Sequence, residues 1–296
     1  MKTTQKALAI LAALAIIITV FAACTPQTTG TVNIKSPDDF YGHTIAVQNG
    51  TTSFELITAQ NENRGDKDKI TVSAYEDVKD CFKELSAGRV DAVYVDSVVA
   101  AYYTQGTDSA DYNRVWLDKT GEPLGIGLRK SSTELAAAIE AALDTLYVNG
   151  KLKEIALKVF GDDFTAGTRT ATTAPEIPNV PDSDLKKAGK LTVGCEIAYP
   201  PMEYKQDDGK TPMGFDIDLA KAIAEVLGLE VEFVDTAWTG IEAGLRNKQY
   251  DCIISSYSIT EARQEVFYQT KPYINQAQCI VVYAGTAVPE PSSGTP

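Results

Sequence analysis

Apolar positions between residues 40 and 164 switch between two periods. Short apolar runs at 44–47 and 90–95 read as strands, the second with Asp91 as its only charge, and 69–72 is strand-like. Between them, 54–60 reads as a helix, and Val78, Cys81, Phe82 and Leu85 stand at i, i+3, i+4 and i+7 before Gly88 stops the run. That spacing buries one face of a helix. Strand, helix, strand in this order predicts a parallel sheet covered by helices. The phrase returns further on. A strand at 190–194 is followed by a helix carrying Leu219, Ala220, Ile223 and Leu227 up to Gly228. An alternating strand at 231–234, a helix at 240–247 and a strand at 252–254 complete it. Between the two units come a strand at 125–130 and a helix with Leu135, Ile139, Leu143 and Leu146. A second helix, with Leu152, Ile155 and Val159, ends at Gly161. The pattern predicts two similar α/β units.

Other stretches carry no such period. Residues 165–184, rich in Thr, Ala and Pro, have no apolar face, and Pro175, Pro178 and Pro181 favour an extended linker. Residues 24–37 read as a polar tether and 286–296 as a disordered tail. At the start, Lys2 and Lys6 precede an uncharged apolar stretch over 7–23, the layout of a secretory signal. Phe21-Ala22-Ala23-Cys24 resembles the lipobox of bacterial lipoproteins, with Phe21 bulkier than the usual Leu. The resemblance implies lipidation of Cys24 and attachment to the outer face of the cell membrane. A single transmembrane anchor is the alternative, although the run is short for a span.

Composition narrows the function. A net charge of −13 with no cluster of Lys and Arg excludes phosphate-polymer recognition, so no nucleic acid is expected. Of five Cys, those at 81, 195, 252 and 279 lack C-x-x-C or His-containing spacing. Neither a metal nor a cofactor is expected. Their apolar surroundings favour small buried side chains over a disulfide, Cys195 with Cys252 being the pair to examine.

The first unit's buried strand runs out into Asp96 and the second's into Ser255-Ser256. Open parallel sheets bind ligands beyond the carboxyl ends of their strands, so two such units facing each other would form a cleft. KLTVGCEIAYPPMEY, GFDIDLAKAIAEVLGLEVEFV and AWTGIEAGLRNKQYDCIISSYSITEARQEVFYQTKPY resemble the first lobe of family 3 extracellular solute-binding proteins, the receptors of polar amino acid importers. DDFYGHTIAVQNGTTSFE, AGRVDAVYVDSVVAAYY and PLGIGLRKSSTELAAAIEAALDTLYVNGKLKEIALKVFG resemble its second lobe and C-terminal helices. In that family the block beginning KLTVG comes first. Here it comes last, so the resemblance implies a circularly permuted, two-lobed type II periplasmic-binding-protein-like fold with mainly parallel sheets. Two crossovers, near 121–124 and 273–277, form its hinge. One lobe comprises 38–120 with 278–285, and the other 125–164 with 185–272. Two fused half-receptors that swap between chains are the alternative to a monomer.

A free amino acid presents a carboxylate and an ammonium, so its receptor needs a cation, anion-binding amides and a carboxylate. The resemblance implies that Ser255, Ser256, Ser258 and Arg263 of one lobe and Thr51 and Thr52 of the other meet the ligand carboxylate, with Thr260 capping the helix that carries Arg263. It assigns Asp96 to the ammonium and the rings of Tyr199 and Trp238 to the ligand side chain. Glu196 matches an acidic position that faces cationic side chains in some relatives. Asp216 reads as a helix cap and His43 as a strand-edge surface residue. The implied function is capture of an amino acid for the permease of an ABC importer. A dehydratase-like enzyme on the same fold and a ligand-sensing domain are the alternatives, but no Ser-His-Asp constellation is visible.

Overall fold

The computed structural model describes residues 32–62, 65, 69–105 and 112–283. The signal, Cys24, most of the tether and the 286–296 tail lie outside them. Ile34, within the stretch read as tether, is buried, and the turn at Pro37–Phe40 buries Phe40 completely, so packing begins upstream of residue 38.

Two five-stranded sheets form the frame. In the first, β1 (Thr44–Gln48) lies between β2 (Thr71–Tyr75) and β3 (Ala92–Asp96), all parallel. β14 (Gln278–Tyr283) and β4 (Tyr112–Leu117) complete the order β2-β1-β3-β14-β4, both pairings antiparallel. The second sheet repeats this plan. β7 (Lys190–Cys195) lies between β10 (Glu230–Asp235) and β11 (Cys252–Ile253), parallel to both. β6 (Gly127–Arg129) and β12 (Phe267–Gln269) follow antiparallel in the order β10-β7-β11-β6-β12. The parallel character is thus confined to three strands of each sheet. The fourth strand enters from the opposite lobe and runs the other way.

The first lobe's helices are α1 (Thr52–Glu62), α2 (Val78–Ser86) and α3 (Ser97–Thr104). The second carries α4 (Thr133–Val148), α5 (Lys151–Phe160), α6 (Phe215–Leu227), α7 (Ile241–Arg246) and α8 (Glu261–Val266). The stripe predicted on α2 is its buried face: Val78, Cys81, Phe82 and Leu85 are all nearly inaccessible. Burial of this kind, at roughly 25 cal/mol per Å² of apolar surface, favours the sheet-and-helix layers over any extended alternative. The chain crosses between lobes at β5 (Glu122–Leu124) and β13 (Ile274–Gln276), which pair antiparallel as one two-stranded ribbon.

Two expectations change. The linker's first residues are packed: Thr165 and Arg169 are buried, and the Arg169 guanidinium bonds Glu140 and Asp144 of α4 and the Lys271 carbonyl. Charge fastens the start of this segment, and Val180 packs against the core near its end. Asp216 is not the cap of α6. The helix starts at Phe215 after Gly214, and Asp216 turns inward to complete burial. His43 is half-buried with Nδ1 3.3 Å from Asp91 Oδ2. Cys81, Cys195, Cys252 and Cys279 are free and buried, and burial pushes their thiols up, Cys81 and Cys279 to about 12.

Candidate functional site

Each parallel strand next to the cleft delivers a polar side chain at its carboxyl end. Gln48 ends β1, Asp96 ends β3, Glu196 follows β7 and Ser255 lies two residues past β11. They meet around a cavity of about 20 Å³ between the sheets. Thr51, Thr52, Asp96, Glu196, Tyr199, Trp238, Ser255, Ser256 and Ser258 line it, joined by Gln48 and Glu203. Arg263 lies in an adjoining cavity of about 270 Å³ with Gly50, Glu55, Thr239, Ile241 and Glu242, and Trp238 is common to both.

The lobes touch across the cleft. Gln48 Nε2 donates to Glu196 Oε2 at 2.7 Å, and Trp238 Nε1 to the Gly50 carbonyl at 2.8 Å. At the hinge, Gln278 Nε2 donates to Asp96 Oδ1 at 2.9 Å and also to Glu122. Glu122 further accepts from Thr52 Oγ1 at 2.6 Å and from Gln276 Nε2 at 2.8 Å. A continuous set of hydrogen bonds therefore runs from Asp96 to the crossover ribbon.

The electrostatics are one-sided. Asp96, Glu196 and Glu203 face the smaller cavity, which no Lys or Arg lines. Burial, then the charge of Glu122, pushes Asp96 up to about 7 against hydrogen bonds from Tyr199, Gln276 and Gln278. Burial pushes Glu196 up to about 7 against the bonds from Gln48 and the Trp238 amide. Desolvation disfavours the charged form of each carboxyl, and an incoming cation would restore it.

Arg263 sits in the first turn of α8, whose N-cap Thr260 accepts from the Arg263 amide at 3.2 Å. Its guanidinium lies 4.5 Å from the Tyr257 ring centroid and 5.4 Å from that of Trp238. Nη1 donates to the Ser258 carbonyl at 3.1 Å, and Nε stands 3.3 Å from Glu242 Oε1. Among the described residues, no group of three or more His, Cys, Asp or Glu could hold a metal ion, and no helix is long and apolar enough to cross a membrane.

Gln48 and Glu203 are additions to the expected set. The strand-end rule that finds Asp96 finds Gln48 equally. Glu203 lies in the turn after Pro200-Pro201, where no period marks it.

The model of bacterial extracellular solute-binding proteins, family 3, matches residues 191–290. The L-cystine-binding protein TcyJ of Escherichia coli K12 is 36% identical over 98 residues, 33% of this chain and 36% of that protein. The L-arginine-binding protein of Pseudomonas aeruginosa is 31% identical over 103 residues, 35% of this chain and 39% of the other. Among solved structures, the arginine-bound Phe57Trp mutant of domain 1 from TmArgBP is 35% identical, with 36% of this chain and 87% of that one covered and a TM-score of 0.31. Residues 191–290 thus carry the signature of family 3 of the bacterial extracellular solute-binding proteins. The chain spans about a third of the length of the curated relatives that it matches.

Proposed function

We propose that the protein is an extracytoplasmic receptor that captures one amino acid, with a cationic side chain, between its lobes for an ABC importer. The observation that carries this reading is the cavity lined by Asp96 and Glu196 from opposite lobes, with Arg263 adjoining it. Asp96 and Glu196 outnumber the one guanidinium, so the complementary ligand has a carboxylate and more than one cationic group. The relatives named for arginine and cystine support an amino acid ligand. Contacts made from both lobes stabilise the closed form, which the permease would recognise.

Thr51 and Thr52 at the start of α1, with the serines, supply further donors, and the rings of Tyr199 and Trp238 pack along the ligand side chain. The order of the blocks supports circular permutation. In that arrangement the 165–184 segment joins the ancestral ends, and both crossovers stay intact. Lipidation at Cys24 would hold the monomeric receptor at the membrane. Loss of lipid labelling in Cys24→Ala is the expected result for the anchor, and a monomer at low concentration in sedimentation is expected against the swapped alternative.

Calorimetry of residues 25–296 against the common amino acids and cystine tests the main reading. The expected result is one tight ligand among the cationic amino acids at one-to-one stoichiometry. No heat with any of them, together with turnover of a prephenate-like acid, would replace the receptor with an enzyme. The acidic cavity opposes that outcome, because it repels a dianion.

A further inference from the structure

Below the cavity two carboxyls face each other with no cation between them. The turn carrying Glu203 is bonded to the start of α6: the Phe215 amide donates to the Pro201 carbonyl at 3.1 Å and the Asp216 amide to the Met202 carbonyl at 2.8 Å. Gly214 permits this approach. Its φ is +123°, and a Cβ there would collide with the Met202 carbonyl. This places the Glu203 and Asp216 side chains, 1% and 0% exposed, close enough to act on each other's protonation.

Each carboxyl uses only one oxygen elsewhere. Glu203 Oε1 accepts from Ser255 Oγ at 2.6 Å. Asp216 Oδ2 accepts from the Ser256 amide at 2.6 Å and from Tyr273 Oη at 3.2 Å. Glu203 Oε2 and Asp216 Oδ1 are buried without a donor. The titratable groups acting on the two are Glu196, Cys195, Tyr199 and Tyr273, none of them cationic. Two adjacent carboxylates in such a setting cannot both ionise, and a single proton between the orphaned oxygens satisfies both. Burial pushes Asp216 up to about 7 against hydrogen bonds from Ser256, Tyr273 and Glu203, whereas burial and then the charge of Asp216 push Glu203 well above its usual range.

Two of the pair's three partners are serines of the site. Ser256 has a φ of +45°, a strained conformation for a residue with a side chain, and its hydroxyl is buried without a partner in the cavity wall. Something must hold this turn. We propose that Glu203 and Asp216 share one proton and that this acid–carboxylate pair is the positioning element that fixes the Ser255-Ser256 turn against the ligand. Through Tyr273 the same pair reaches the residue that precedes the β13 crossover.

The positioning half rests on the receptor reading, whereas the shared proton does not. Infrared spectra of the unliganded protein at about pH 9, where carboxyls titrating near 7 are ionised, test the proton directly. The expected result is one protonated-carboxyl carbonyl band, shifted in D₂O and lost in both Glu203→Gln and Asp216→Asn. Absence of the band, or its survival in both variants, overturns the proposal. For positioning, Glu203→Leu is expected to weaken binding of the calorimetric ligand at least about tenfold more than Glu203→Gln, whose amide can still bridge to Asp216 and Ser255. Equal losses in the two would show Glu203 to be a direct charge contact and would overturn the positioning role. If no amino acid binds, the infrared measurement still decides the pair.

Discussion

Arg263→Ala is expected to raise the dissociation constant of the amino acid ligand by about 30-fold to a few thousandfold, the range for truncating one partner of a buried charge pair, about 2–5 kcal/mol. Arg263 is only 7% exposed, and its plane is braced by the Tyr257 ring and the Ser258 carbonyl. The guanidinium is therefore already desolvated and oriented before a carboxylate arrives, which removes much of the usual cost of ordering a long side chain. Arg263→Lys keeps the charge and loses the planar fork, so its affinity should fall between the two. Calorimetry on all three, with circular dichroism to verify that α8 persists, decides the point. A change below about threefold in the alanine variant would remove Arg263 from the site.

A second large effect should appear with pH. Asp96 and Glu196 titrate near 7 in the unliganded protein, so both are largely neutral at pH 5.5 and largely ionised at pH 8. A cationic ligand binds the ionised forms, and each carboxyl that must lose its proton weakens affinity by up to about tenfold per unit below its pKa. Affinity at about pH 5.5 should thus be at least about tenfold lower than at pH 8. The unliganded protein should respond in the opposite direction. Carboxyls raised in the folded state above their unfolded values near 4 contribute stability that is present at low pH and lost as pH rises through about 7. The ligand-induced rise in melting temperature should accordingly grow from pH 5.5 to 8, and Glu196→Gln should flatten part of that growth. A ligand shift independent of pH would mean that neither carboxyl meets a cation.

How far the sequence predicts such a site varies with the residue. Asp96 and Ser255 stand at strand ends, and a strand end follows from local periodicity, so their convergence was legible, whereas Glu196 was reached only through the resemblance. α2 was equally plain because its four apolar positions have a single helical solution. Glu203 and Asp216 were not legible in this way. One lies in an aperiodic turn and the other resembles a cap, and only the close approach at Gly214 turns them toward each other. Arg263 was found as a residue, but its seat beside Trp238, outside the smaller cavity, depends on ring packing between distant segments. Arg169 was missed because its burial rests on charge pairing, which hydrophobic patterning does not register.

The attachment of the proline-rich segment has a mechanical consequence. Its upstream end is stapled to α4 through Arg169, and its downstream end through the Lys186 amide, 2.7 Å from Asp251 Oδ1. Both anchors belong to one lobe, so bending at the β5–β13 ribbon neither stretches nor slackens the strand of chain between them. That segment is anchored at both ends to the same sheet-and-helix layer. Its length can drift, and cargo can be spliced into it, without the opening and closing of the cleft registering the change.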